Sequence, residues 1–219
     1  GKPAQVMARW EGSGVPIVRM PVTPATPEQL ALAHDPEFVA GILECRYNNG
    51  FGNRSPEVAA TLPWTTGSLV SAARHVARHG GVAVSPTSGF HHARHRSAGG
   101  FCTFNGLMVA VRVLQLEGLA RRVGILDIDM HYGDGTDDIL KRLRLTPAVH
   151  HWTFGRHHGD ASTAAAFMRD LPAVLAGFDD CEVVLYQAGA DPFIDDPLGG
   201  VLTREQLRLR DRMVFQHFA

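Results

Sequence analysis

The chain has 219 residues, 45% of them hydrophobic, and a formal net charge of -1. That length and apolar content suffice for one α/β domain with a real core, and the near-zero charge gives no bulk electrostatic case for nucleic acid or an anionic membrane. Its three cysteines, Cys45, Cys102 and Cys181, form neither a CxxC pair nor an even set and read as reduced thiols of a cytoplasmic protein; the amino end lacks a signal peptide's apolar core, and no run approaches transmembrane length.

The sequence predicts a short strand over Gln5–Trp10, in an otherwise irregular stretch through Pro24. A helix follows in ATPEQLALAHD, with Thr26 as N-cap, Pro27 at the first helical position and Gln29 closing a capping box. DPEFVAGILECR repeats the device with Asp35 and Pro36, and Phe38, Ile42 and Leu43 give it an apolar face. Tyr47–Ser55, rich in Gly and Asn, reads as a long loop, either bordering a site or lying plainly on the surface. Thr65 or Thr66 is expected to cap a helix that stops at Gly80-Gly81.

Val82–Val84 reads as a short buried strand ending in a loop that carries His91 and His92. A helix over LMVAVRVLQLEG leads to a strand at Arg122–Leu126, which empties into Asp127, Asp129 and His131. In an extended segment those three side chains share a direction. Thr136 is then expected to open a helix. Ala148–Phe154 is a strand, Thr163–Leu175 a helix, and Glu182–Tyr186 a strand that delivers Asp191. Thr203 with Gln206 caps the last helix, with Arg204, Arg208, Arg210 and Arg212 on its exposed face.

Strands alternating with helices imply a mostly parallel sheet covered on both faces. Ligands of such sheets sit beyond the carboxyl ends of the strands. The rule brings three unusual strand ends together: His91 with His92; Asp127, Asp129 and His131; and Asp191. Buried carboxylates need a cation or a hydrogen-bond network. Asp129, His131 and Asp191 make a plausible three-ligand zinc site with a position left open for water. Two carboxylates leave such a zinc a weak Lewis acid that needs a separate base, for which His91 and His92 are candidates, and Asp127 and Asp134 are the carboxylates available to orient them.

GFHHARHRSAGGFCTFNG, VGILDIDMHYGDGT and YQAGADPFIDDPLGG, in that order, resemble the motifs of the zinc-dependent histone deacetylase superfamily, which includes acetylpolyamine amidohydrolases and bacterial histone deacetylase-like amidohydrolases. With YNNGFGNRS the resemblance spans roughly residues 47–210. It implies a single-domain arginase-deacetylase α/β fold over residues 1–219 and hydrolysis of an N-acetylated amine, such as acetyl-lysine, to acetate and free amine. It implies one zinc per chain on Asp129, His131 and Asp191. His91 and His92 would be the general acid/base pair, oriented by Asp127 and Asp134, with a monovalent cation such as K+ near Asp127. Gly100 and Phe101 would line the acyl-lysine tunnel, and Leu198 its rim.

The chain departs from the family pattern in three places. The carbonyl-polarising tyrosine of a Gly-Gly-Tyr turn has no counterpart, since Tyr47, Tyr132 and Tyr186 all lie elsewhere. The expectation is therefore that the domain lacks its C-terminal part. The Thr153–Thr163 stretch is short and supplies no second tunnel phenylalanine. The loop at Tyr47–Ser55 carries Gly and Asn in place of a substrate-gripping acid. Leu198 leans toward acyl-lysine, while Asp195 and Asp196 keep a cationic polyamine open as the alternative. A catalytically weak acyl-lysine-binding module would also account for the missing tyrosine. A nucleotide-sugar enzyme using Asp127 and Asp129 would lack a phosphate-cradling loop. His150, His151, His157 and His158 are not expected to chelate, because adjacent strand residues face opposite ways. Cys102 is expected to be a buried small hydrophobe, and Arg94, His95 and Arg96 a solvated loop.

Overall fold

A computed structural model describes residues 2–158 and 161–218. Helix α1 (Lys2–Glu11) replaces the expected strand over Gln5–Trp10: Ala4, Gln5, Met7, Ala8 and Arg9 are good helix formers and outweigh Val6 and Trp10. Helix α2 (Pro27–Leu30) has the predicted Thr26–Gln29 capping box, though it runs only one turn. Helix α3 (Pro36–Leu43) is capped by Asp35, which accepts from the Glu37 and Phe38 amides.

Helix α4 (Pro56–His79) begins nine residues before the first capping position predicted for it. Ser55 caps it and Pro56 fills its first turn, an equally good start signal, and the helix continues through Pro63 to Gly80. Thr66, one of the two expected caps, is buried within it. Val82–Val84 is not a strand. Val82 and Val84 are 55% and 57% exposed, and among the described residues no strand pairs with this segment.

Helix α5 (Gly106–Leu116) is capped by Asn105 and buries eight of its residues. Strand β1 (Val123–Asp127) is buried throughout. Helix α6 (Asp134–Arg142) opens two residues before Thr136, which lies buried in its first turn. Strand β2 (Val149–Thr153), helix α7 (Ala164–Ala176) and strand β3 (Val183–Gln187) follow. Helix α8 (Arg204–Phe218) starts where Thr203 and Gln206 bond each other's backbone amides. Arg204, Arg208 and Arg212 are exposed as expected, but Arg210 is buried, and the expectation for it is corrected.

The three strands form a parallel sheet in the order β2-β1-β3, and Asp127 stands level with Thr153 and Gln187. All three strands therefore end at one edge. Alternation along β1 divides the core. Val123 and Ile125 pack toward α4 and α5 with Met108 and Val111, while Leu126 packs with Phe154, Phe167 and Val214 on the side of α7 and α8. No helix among the described residues is long and apolar enough to cross a membrane.

Candidate active site

Strand β1 ends at Asp127, so strand alternation does not itself aim Asp129 and His131; a short stitched loop does. The Asp129 amide donates to Asp127 Oδ1 (3.2 Å), the His131 amide to Asp129 Oδ1 (3.0 Å) and the Met130 amide to Asp191 Oδ1 (3.1 Å). The last bond ties the loop after β1 to the loop after β3. Where the loops meet only glycine fits, since a Cβ on Gly189 would lie 2.5 Å from Asp129 Cα.

His91 and His92 sit in a turn after the irregular segment 82–90, with ring centroids 4.1 Å apart, and not at a strand end as expected. Each imidazole is oriented by one carboxylate. His91 Nδ1 bonds Asp127 Oδ2 at 2.7 Å, and His92 Nδ1 bonds Asp134 Oδ1 at 2.7 Å. Arg94 Nε holds the other oxygen of Asp134 at 3.0 Å. His91 and Asp127 are buried, whereas His92 is half-buried. Burial works against a charged His91, but Asp127, Asp129 and Asp191 outweigh it and raise its pKa. Burial likewise opposes the Asp134 carboxylate, which His92 and Arg94 nevertheless hold below the usual range.

One donor atom each from Asp129, His131 and Asp191 lies within 4.8 Å of the others. His131 Nδ1 is 3.2 Å from Asp129 Oδ1 and 2.9 Å from Asp191 Oδ2, while its Nε2 faces the Leu198 carbonyl at 3.1 Å. Nδ1 thus faces two carboxylates. Burial opposes a charge on His131, but they outweigh it and raise its pKa, and the space between the three groups takes either a proton on Nδ1 or a metal cation. The carboxylates report the same crowding. Burial and the Asp129 carboxylate push Asp191 up to about 6, and burial of Asp129 is outweighed by His91 and by its bonds to Asp191 and His131, which lower its pKa. Two carboxylates and one imidazole are a donor set that fits zinc.

His92 and His131 open onto a cleft of about 750 Å³ that Leu198, Gly199, Met130, Tyr132 and Gly155 also line. Gly100 packs on the His92 ring so closely that a Cβ would lie 2.4 Å from it. Phe101 and Leu198 are 61% and 62% exposed. Phe154, the phenylalanine of the Thr153–Thr163 stretch, is buried against Phe167 at 4.7 Å and lies away from the cleft; Gly159 and Asp160 of that stretch lie outside the described residues. The Tyr47–Ser55 loop does lie against Phe101. The Gly50 carbonyl accepts from the Phe101 amide (3.0 Å), and the Phe51 and Phe101 rings, both exposed, are 6.0 Å apart.

Of the side groups expected to be bland, His150 packs on Phe178 (4.4 Å) while His151 bonds Asp137 (2.7 Å), on opposite sides of β2. Cys102 is buried, and burial pushes its thiol up to about 12. Arg94 and Arg96 are exposed but paired with Asp134 and Asp35, and His95 is half-buried and bonds the Ala33 carbonyl, so only part of that loop is simply solvated. Sequence reasoning missed Tyr132, whose hydroxyl bonds Asp137 and Arg156 at the cleft, and Phe51, whose Gly-Phe setting at 50–51 repeats that of 100–101.

A model of the histone deacetylase domain matches residues 4–154. The chain belongs to the histone deacetylase domain family. It is 30% identical over 216 residues to an uncharacterized protein of Picosynechococcus sp., covering 84% of this chain and 68% of that one. To the polyamine deacetylase HDAC10 of Rattus norvegicus it is 27% identical over 229 residues, covering 81% and 38%. Among solved structures, the acetylpolyamine aminohydrolase from Burkholderia pseudomallei superposes with a TM-score of 0.72 at 17% identity, over 99% of this chain and 89% of that one. The HDA15 HD domain gives 0.70 at 21% identity, over 90% and 66%. The chain thus spans about two thirds of the Picosynechococcus protein and well under half of HDAC10. Its fold is the arginase-deacetylase α/β fold of these deacetylases. Family membership supports amide deacetylation.

Proposed function

We propose that residues 1–219 form a single zinc-dependent deacetylase domain that hydrolyses an N-acetylated amine of the acetyl-lysine type. The observation that carries the reading is the Asp129–His131–Asp191 cluster beside two histidines, each on its own carboxylate. A zinc ion held there would act as a Lewis acid on the amide carbonyl and the attacking water. His92, at the cleft, moves a proton between water and the leaving amine. Asp134 fixes its ring so that Nε2 faces the reaction. His91, buried on Asp127 and beside Asp129, is the second member of the acid/base pair. Gly100 packs on the His92 ring and Leu198 lines the cleft, and with Phe101 they would border the substrate. Asp127 and the Thr153 hydroxyl, 3.4 Å apart, are the groups a monovalent cation such as K+ would meet.

A second reading, for a full-length protein that carries no catalytic tyrosine, is a weak catalyst or an acyl-lysine-binding module. The hydroxyls of the three tyrosines here are committed to Glu37 (Tyr47), Asp137 (Tyr132) and Asp211 (Tyr186), so none is free to polarise a substrate carbonyl.

The test pairs metal content of the dialysed chain with acetate release from an acetyl-lysine peptide and from an acetylpolyamine. About one zinc per chain is expected, lost in Asp191→Ala. His91→Ala and His92→Ala should keep zinc and lose about a hundredfold to ten-thousandfold in turnover. Wild-type turnover in both histidine variants refutes their roles. Tight peptide binding without acetate release by the full-length protein favours the binding module, and faster release from the polyamine selects the cationic substrate.

A further inference from the structure

Helix α8 carries one guanidinium into the core. Arg210 is 3% exposed, on the same helix face as Val214 and Leu207, where an apolar side chain would pack without desolvating a charge. Its contacts explain its presence. Nη1 donates to the Gly189 carbonyl at 2.8 Å and reaches the Ile128 carbonyl at 3.4 Å. Nε and Nη2 both lie 2.9 Å from Asp211 Oδ1, which also accepts from the Tyr186 hydroxyl at 2.6 Å, and the guanidinium carbon is 6.0 Å from the Tyr186 ring centroid.

The two carbonyls lie just past the sheet. The β1–β3 register ends at Asp127 and Gln187, so Ile128 and Gly189 have left the ladder and their carbonyls have no strand partner there. Ile128 immediately precedes Asp129, and Gly189 stands two residues before Asp191. One guanidinium therefore bonds both loops that deliver the carboxylate ligands. The Met130 amide bond to Asp191 is a second clasp between the same loops, but it uses a ligand's own oxygen. The Ile128 amide also donates to the Gln187 carbonyl (3.1 Å) at the end of the ladder, and Arg210 is the side chain that holds both loops beyond it without occupying a ligand atom.

We infer that Arg210 is a positioning residue: it fixes the separation of Asp129 and Asp191 and thereby sets the affinity of the site for a divalent metal. The inference rests on the metal reading of that site. Arg210 touches neither carboxylate, so it acts through the backbone. Asp211 and Tyr186 serve as its counter-charge and platform.

The experiment measures the zinc dissociation constant of the full chain by competition with a chromophoric chelator, together with the visible bands of the Co2+-loaded chain. Arg210→Gln should weaken zinc about tenfold to hundredfold and shift the Co2+ bands, and Arg210→Lys, which keeps a charge and a donor, should recover part of the loss. Asp211→Asn, which leaves both carbonyl bonds in place, should lower the melting temperature while holding zinc affinity within about twofold. If Arg210→Gln does not fold, Arg210→Lys is compared with Asp211→Asn on the same two readouts. Wild-type zinc affinity and Co2+ bands in the Arg210 variants overturn the inference and leave the metal site standing. Zinc losses that merely follow melting temperature across the Arg210 and Asp211 variants make the role structural and overturn it as well. A wild-type chain that binds neither metal overturns the metal reading, and the inference with it.

Discussion

Mild acid should destabilise this domain through a histidine remote from the metal cluster. His34 is fully buried, between the Phe38 and Phe104 rings at 5.7 and 5.4 Å. Its Nδ1–H donates to the Arg94 carbonyl at 3.0 Å, and its Nε2 accepts from the Asn105 amide at 2.8 Å. Both nitrogens are thus committed in one neutral tautomer, and a proton on Nε2 would face an N–H. Burial lowers its pKa from 6.5 to about 4, against the Arg94 carbonyl's pull the other way. The unfolded chain therefore binds the proton first, and stability falls as pH drops from the unfolded value toward the folded one. The full loss is about 3 kcal/mol, of which about 2 kcal/mol is reached at about pH 5. His91 and His131 have raised pKa values, so their contributions run the opposite way, present at low pH and lost as pH rises. The wild-type curve mixes these signs, and a variant is needed to separate them. His34→Gln removes the titration while keeping a donor and an acceptor. Urea unfolding at about pH 7.5 and about pH 5 should show the variant losing about 2 kcal/mol less than wild type between the two. Equal losses would refute the account. Because Arg94 and Asn105 border the His91–His92 turn, activity should fall in the same pH window.

Two further substitutions bear on the site. Gly189→Ala places a Cβ 2.5 Å from Asp129 Cα and 2.8 Å from Asp191 Oδ1, so it should part the two loops and lose zinc on dialysis; a variant with full zinc content contradicts the close-packing argument. Phe51→Ala removes the ring paired with Phe101 and should raise KM for an acetyl-lysine peptide about twofold to tenfold with kcat kept. An unchanged KM would place Phe51 outside the substrate path.

The site was legible because its residues cluster in a few short segments whose order in the chain matches their order at one sheet edge. Strand β1 was readable as a buried apolar run, and the parallel rule brought its end beside that of β3, where Asp129, His131 and Asp191 do meet. Caps were readable for the same local reason: Thr26, Asp35 and Thr203 bond amides two or three residues away. The misses have different causes, and one of them is a partner distant in sequence. Val82–Val84 has strand composition, but a strand exists only where a neighbour completes its ladder. The start of α4 failed through competition between two valid capping signals, Ser55-Pro56 and Thr65-Thr66, and the earlier one won.

Arg210 is the more instructive failure, because its burial was encoded. At about 100° per residue, Arg208 and Arg212 fall within about 80° of Arg204 around α8, whereas Arg210 lies about 120° from it on the other side. Val214 falls within about 40° of that second direction and Leu207 and Met213 within about 60° on either side of it, and all three pack against the core cluster on the α7–α8 side of the sheet. Grouping the four arginines by residue type put Arg210 with the solvent face; grouping by angle puts it on the buried stripe. A guanidinium on a buried stripe needs acceptors, and the end of a parallel sheet supplies carbonyls that have left the ladder. The buried stripe therefore pointed to the strand ends, where Ile128 and Gly189 stand beside Asp129 and Asp191, the proposed metal ligands.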